Sequence, residues 1–400
     1  MQRTFNEDIN FIFETFIKNN YQIYLIGGCV RDMLLNKTPN DYDFTTDALP
    51  TEICQLFAEY EIITNGINEG SVTLVLNNQE YEITTFRLDG QYINHRRPKE
   101  VIFTDNLKDD LKRRDFTVNA LACNCQGEIT DCYNGLNDLK NKLIRTIGNS
   151  DRRFDEDALR ILRALRFCAQ LNFSLEENTA DSINKNKHLL HFLSKERITE
   201  EFSKLLVAIS HPKILLDYRS VFEELFPQLN DISTNQYQNN CEALVQSKHN
   251  LTIRLALFFH NCQGIKEVKN LSLNKNLTNE IDFLINNQFL LIPLTEVELK
   301  KFLSIFSFKA IKQLIKFQYL LNYIDPIQFS LYQNALSKIE QQNQCYQLKQ
   351  LAVNGNDLLH FGYKPVEIGS LMNNLLNLVI ENKLPNKRDE LLKFIKKSEK

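Results

Sequence analysis

The stretch from Tyr24 to Asp47, YLIGGCVRDMLLNKTPNDYDFTTD, constrains this chain more than any other. It reads as a strand over residues 22–26, a Gly27-Gly28 turn, a short helix over 30–35, a loop, and a second strand carrying Asp41-Tyr42-Asp43. A helix that starts straight after two glycines leaves free backbone N–H groups, and the positive end of its dipole, where a phosphate can bind. Two carboxylates two residues apart on a strand point to the same side. Taken alone, Asp-x-Asp is more simply a solvated strand end. Joined to the glycine turn at this spacing, it has the make-up of a magnesium–nucleotide site.

The rest of the chain bounds the architecture. Four hundred residues are too many for one typical core, so two or more domains are expected. Eight of the twelve glycines fall in residues 1–148, which places strands and tight turns first and a nearly all-helical remainder after them. A formal net charge of −3 gives no global pull toward nucleic acid, so any RNA contact must use local basic patches. The last helix, with seven Lys and Arg against three acidic residues from position 383, is one such patch, although a solvated tail explains it as well. The N-terminus is broken by charges and amides, and no apolar run approaches a membrane span; the expectation is a cytoplasmic protein with no membrane partner. Nine scattered cysteines fit reduced thiols, and Cys123, Cys125 and Cys132 lack the spacing of a zinc site.

Further motifs follow in order. Ile9, Phe13, Phe16 and Ile17 form a helical stripe, and Leu49-Pro50 opens another helix. Residues 66–76 and 80–87 read as paired strands around Asn77-Asn78. Glu82 could add a third carboxylate, but a solvent-facing strand glutamate fits as well, and the site set is drawn without it. Residues 88–98 form a polar loop with Arg96-Arg97. In LKRRDFTVNALA, from Leu111, adjacent arginines beside Asp115 suit either a surface ion pair or a phosphate clamp. Residues 151–170 read as one helix with its apolar stripe at Ala158, Ile161, Leu162, Leu165 and Ala169. On it Asp157 and Arg160 are three apart on one face, and Arg163 and Arg166 continue the spacing. Each step falls short of a full turn by ~60°, so Arg166 must face something other than what Asp157 and Arg160 grip. Arg197 and Glu200 or Glu201 are expected to brace this helix. No His is followed by Asp, which excludes an HD phosphohydrolase module.

GGCVRD with DYDFTTDA, RRDFTVNA and EDALRILRALRF together resemble the tRNA nucleotidyltransferase and poly(A) polymerase family, a branch of the polymerase β superfamily. The resemblance is dense over residues 22–205, thinner to the C-terminus, and closest to class II tRNA nucleotidyltransferases of the bacterial type. It implies an α/β nucleotidyltransferase head with a mixed sheet, followed by an all-α neck, body and tail. The implied bounds are 1–148 for the catalytic head, 149–210 for the base-recognising neck, 211–310 for the body and 311–400 for a tRNA-binding tail. The implied activity is template-independent addition of C, C and A to the 3′ end of tRNA from CTP and ATP. The implied partner is the 3′ end and acceptor arm of tRNA, with no protein partner, and the implied cofactor is Mg²⁺. Asp41 and Asp43 would be the catalytic metal ligands and would hold two Mg²⁺, one to activate the RNA 3′-hydroxyl and one to stabilise the pyrophosphate released. Gly28, Arg31 and Arg114 would contact the triphosphate, and Asp157, Arg160, Arg163 and Arg166 would complete the nucleotide site.

The Asp157–Arg160 pair would replace a template. C and A both present an exocyclic amino donor beside a ring-nitrogen acceptor, which a carboxylate and a guanidinium can match. G and U present the reverse, and opposed polar groups in a closed site cost about 1–3 kcal/mol each. The loop at 88–98 resembles the segment such enzymes use when they switch to A. Alternatives within the class are a poly(A) polymerase or a partial CC- or A-adding enzyme; outside it, a non-catalytic tRNA-binding relative.

Overall fold

The computed structural model describes residues 5–397 apart from 94, 96 and 263. Asn94 and Arg96 of the polar loop therefore lie outside the described residues. The chain divides into two compact units, Met1–Asp231 with Asn270–Ser272, and Ile232–Lys269 with Leu273–Lys400.

The first unit opens with α1 (Glu7–Lys18), whose start is fixed by the Asn6 side chain accepting from Ile9 N at 2.8 Å. Its buried stripe is Ile9, Ile12, Phe13 and Phe16, while Ile17 is exposed: the i, i+3, i+4, i+7 set faces the sheet and Ile17 falls outside that arc. Then come β1 (Ile23–Ile26), α2 (Gly28–Leu34), β2 (Asp43–Thr46), α3 (Pro50–Leu56), β3 (Glu61–Ile63), β4 (Ser71–Leu76) and β5 (Gln79–Thr85). Asn77 and Asn78 both have positive φ, +49° and +63°, and join β4 to β5 in the two-residue turn their identity predicts. Residues 87–103 hold two short antiparallel ladders, β6 (Arg87–Asp89) with β9 (Val101–Phe103) and β7 (Tyr92–Ile93) with β8 (Arg97–Pro98). The segment read as a loop is thus partly a ribbon, because its two flanks are extended and lie opposite each other.

After α4 (Leu107–Lys112), β10 (Leu121–Cys123) and β11 (Ile129–Asp131) complete a seven-stranded sheet in the order β11-β10-β1-β2-β5-β4-β3. Only β2 and β5 pair in parallel, so the sheet is mixed. α5 (Gly135–Asn141) follows; a Cβ on Gly135 would meet the Thr117 carbonyl oxygen at 2.3 Å, so only glycine fits there. β12 (Leu143–Ile144) then leads to α6 (Ser150–Glu156), α7 (Leu159–Leu171) and β13 (Ser174–Leu175), which pairs with β12. The helix expected across 151–170 is two helices. Asp157 is extended (φ −142°, ψ 103°), and its Oδ1 accepts from Leu159 N at 3.1 Å, capping the start of α7. α8 (Glu177–Asn186), α9 (Lys195–Ala208), α10 (Lys213–Asp217) and α11 (Arg219–Leu225) close the unit.

The second unit is helical: α12 (Thr234–Gln246), α13 (Leu251–Phe258), α14 (Gly264–Asn270, whose last residue falls in the first unit), α15 (Lys275–Asn286), α16 (Glu296–Ile305), α17 (Phe308–Leu320), α18 (Pro326–Gln341), α19 (Gly355–His360), α20 (Pro365–Ile380) and α21 (Arg388–Lys397). Leu358, Leu375, Val379, Leu391 and Ile395 form the core of its last third. Among the described residues, ten of the thirteen non-glycine positions with positive φ are asparagine, several at helix ends such as Asn172, Asn322 and Asn382. No described helix is long and apolar enough to cross a membrane.

Candidate active site

The sheet register brings the carboxylates together. β1 pairs β2 with Ile26 opposite Asp43, and β2 pairs β5 with Asp43 opposite Glu82. Asp41 lies two residues ahead of β2, exposed, rather than within the strand. A cleft of about 250 Å³ opens here, with Asp43, Glu82, Ser71, Thr84, Arg113 and Arg114 in its walls. Burial, then the Glu82 and Asp41 carboxylates, push the Asp43 carboxyl up to about 6, against the pull of Arg114. Negative charge is crowded here beyond what the arginine balances, which is the chemistry of a cation site. Among the described residues, no three His, Cys, Asp or Glu side chains form a complete metal cage. A hard cation that takes one or two carboxylates and keeps its other positions for phosphate and water needs no such cage.

The glycine turn lies against Arg114 of this cleft. Gly27 has φ +77°, a conformation that L side chains rarely adopt, and a Cβ there would sit 3.3 Å from Arg114 Nη1. Gly28 starts α2. Arg114 donates to Asp110 Oδ2 at 3.3 Å, and its Nε is buried without a partner. Asp110, fully buried, also holds Arg113 at 2.7 Å and accepts from the Thr45 hydroxyl. Burial pushes its carboxyl up, but Arg113 and Arg114 outweigh that and hold it low. Asp110 thus anchors both arginines; the i+3 and i+4 spacing in Asp110-x-x-Arg113-Arg114 was its only signal. Arg31 is buried beneath the turn, donating to Asn119 Oδ1 at 2.7 Å and to Asp32. Cys29 is buried, donates to the Ile26 carbonyl, and burial pushes its thiol up to about 12, so it packs rather than reacts.

The helical half supplies a second set. Asp157 Oδ2 accepts from Arg197 Nη2 at 2.8 Å, and Arg197 Nη1 is buried without a partner. Arg160 is buried and donates to the Arg153 and Arg113 carbonyls and to Glu156 Oε2 at 2.8–3.1 Å. Those bonds use three of the five N–H groups of its guanidinium. The break at Asp157 means that Asp157 and Arg160 do not share one helix face as the spacing predicts. Arg163 is bound to Asp115 (2.7 Å), and Arg166 to Glu201 (2.6 Å). Burial pushes the Asp115 carboxyl up, but Arg163 and Asn119 more than offset this and hold it at about 2. Glu201 rather than Glu200 braces α7; Glu200 pairs with Lys204. Arg197 braces the start of α7 through Asp157.

A mixed sheet with one carboxylate at the head of β2 and another opposite it on the parallel strand β5, beside a Gly-Gly turn and an anchored arginine pair, defines a nucleotidyltransferase head. The family model of the poly A polymerase head domain matches residues 23–145. That described as the probable RNA and SrmB-binding site of polymerase A matches 172–233, and that of tRNA nucleotidyltransferase domain 2 matches 305–395. A CCA-adding enzyme of Enterococcus faecalis is 34% identical over 394 residues, covering 94% of this chain and 92% of that protein. A CCA-adding enzyme of Oceanobacillus iheyensis is 49% identical over 194 residues, and in that alignment the chain spans about half the relative's length, 48%. The crystal structure of the Bacillus stearothermophilus CCA-adding enzyme in complex with CTP superposes with a TM-score of 0.74 at 25% identity, covering 98% of each chain. The chain belongs to the family of the CCA-adding enzymes, within the tRNA nucleotidyltransferases and poly(A) polymerases.

Proposed function

We propose that the chain adds C, C and A to the 3′ end of tRNA, using CTP and ATP and releasing pyrophosphate. The observation that carries this reading is the crowding of Asp43 with Glu82 and Asp41 at one wall of a cleft whose other wall holds Arg114 against the Gly27 turn. Asp41 and Asp43, with the Glu82 carboxylate beside them, would hold two divalent cations, taken as Mg²⁺. Bound there, one would activate the RNA 3′-hydroxyl and the other would offset charge on the departing pyrophosphate. Arg114, with an unused Nε and a mount on Asp110, presents positive charge to the triphosphate. The Gly27-Gly28 backbone lets a phosphate approach without a side chain in the way. Arg31 supports the turn from below and reaches a phosphate only by giving up Asn119 or Asp32.

Asp157 accepts from the amino group of C or A, since each carboxylate oxygen has capacity beyond its present bond. Arg160 keeps two N–H groups for the ring nitrogen, while Arg163 and Arg166 hold the helix through Asp115 and Glu201. In this reading residues 1–148 form the head, 149–210 the neck, 211–310 the body and 311–400 the tail, and the helical parts carry the acceptor arm. The experiment is incubation of the protein with tRNA lacking its 3′ end, with CTP alone, ATP alone or both, followed by sequencing of the ends. CC from CTP and CCA from both is expected. A lengthening A tail, or products stopping at CC with both triphosphates, would replace the reading by poly(A) or partial synthesis; no extension at all would remove it.

A further inference from the structure

A cleft of about 670 Å³ lies within the second unit. On α17, Lys309, Lys312 and Lys316 stand at i, i+3 and i+7, within one narrow arc of the helix, and all three line the cleft. Lys248, from the turn between α12 and α13, joins them from another wall. Its backbone is left-handed, φ +58°, a conformation that costs a non-glycine residue free energy. Lys309 is paired with Glu280. Among the described residues, no carboxylate lies within ion-pair distance of Lys248, Lys312 or Lys316, and Glu340 is the only acidic residue lining the cleft. By contrast, Arg388 and Lys393 of the basic C-terminal helix are tied to Asp357 and Glu390.

Charge of one sign is concentrated here. Burial and then the neighbouring Lys248 lower the Lys316 ammonium's affinity for its proton. The Lys316 ammonium also lies 5.0 Å from the Tyr319 ring and 5.3 Å from the Phe329 ring, which stack on each other at 4.2 Å. The rest of the lining includes apolar Ile253, Ile315 and Leu336. Three cations without counter-ions over an apolar floor suit a ligand with an anionic group and a larger body, and a cavity of this size admits one.

We propose that this cleft is a second phosphate-binding site, which holds the phosphates of nucleotide units through Lys248, Lys312 and Lys316. The nucleotide is either part of the tRNA chain or free. The inference rests on the tRNA reading above only for the first source.

The test compares wild type with K248Q/K312Q/K316Q and with the charge-keeping K248R/K312R/K316R. Affinity for tRNA lacking CCA is measured from 50 to 200 mM salt, ATP is titrated calorimetrically, and C addition is followed at saturating RNA. For tRNA as the source, the Gln variant loses roughly tenfold or more in affinity, and its salt slope falls by roughly 2, as expected when about three phosphate contacts vanish. The Arg variant stays near wild type, and C addition at saturation is unchanged. For free nucleotide as the source, tRNA binding is unchanged and the ATP stoichiometry drops from two sites to one. Unchanged tRNA affinity and unchanged ATP stoichiometry overturn the proposal, as does an equal loss in the Gln and Arg variants. Failure of wild type to extend tRNA would remove the proposed activity and leave these binding outcomes readable.

Discussion

Asp43 sits half-buried between two other carboxylates, and its charged form is costly until a cation arrives. Asp43→Asn removes that charge at little change in shape. Several kcal/mol of transition-state stabilisation should go with it, so addition of C and of A should both fall by about 10³-fold or more, while tRNA binding persists. Glu82→Gln should cost less, on the order of tenfold, and raise the cation concentration needed for half-maximal rate. Single-turnover addition across a magnesium series measures both. Near-normal turnover of the Asp43 variant at saturating cation would end the proposed site. Asp41 and Asp43 were legible in the sequence because they are two positions apart beside a glycine turn. Glu82 was not, because its place opposite Asp43 depends on β2 pairing with β5 in parallel at a separation of 39 positions, a register that no local pattern encodes.

At the scale of elements, the break between α6 and α7 decides how Asp157 can work. The apolar stripe runs unbroken from Ala158 onward, so helical periodicity was legible and the cap at Asp157 was hidden inside it. The turn at Asn77-Asn78 was legible to the residue, since two asparagines favour positive φ in succession, but the strand read from residue 66 starts only at Ser71, after a 3-10 turn over Ile67–Glu69. If Asp157 reads the base, Asp157→Ala removes the acceptor for the amino group of C or A and ends the repulsion of the carbonyl of U or G. Incorporation of UTP or GTP relative to CTP and ATP should then rise roughly ten- to a hundredfold. Loss of the cap should also cost about 1 kcal/mol of stability. Single-nucleotide addition with each of the four triphosphates gives the ratio. Equal slowing of all four would leave Asp157 with capping and its tie to Arg197 alone.

At the scale of the first unit, ion pairs join the segment after the sheet to the helices that follow. Asp115 binds Arg163, and Glu201 binds Arg166. Asp115 is held at about 2, below its value of about 3.9 in an unfolded chain. Its contribution is therefore present above about pH 4 and is lost as pH falls through about 2; its size is on the order of 2–3 kcal/mol. Asp115→Asn should be markedly less stable than wild type at pH 7, and the gap should narrow steadily below pH 4. Urea unfolding at a series of pH values checks this, and a gap that does not change with pH would assign the loss to packing instead. The asparagines at positive φ bear on the opposite side of the folding equilibrium. Glycine would make the same bends with less local strain, but it gives the denatured chain more conformations to lose, by roughly 0.5–1 kcal/mol each. With only 12 glycines in 400 residues, this chain turns its corners with a residue that keeps the denatured ensemble narrower. Exchanging one such asparagine for glycine therefore trades relief in the folded state against freedom in the unfolded one, and the two nearly cancel.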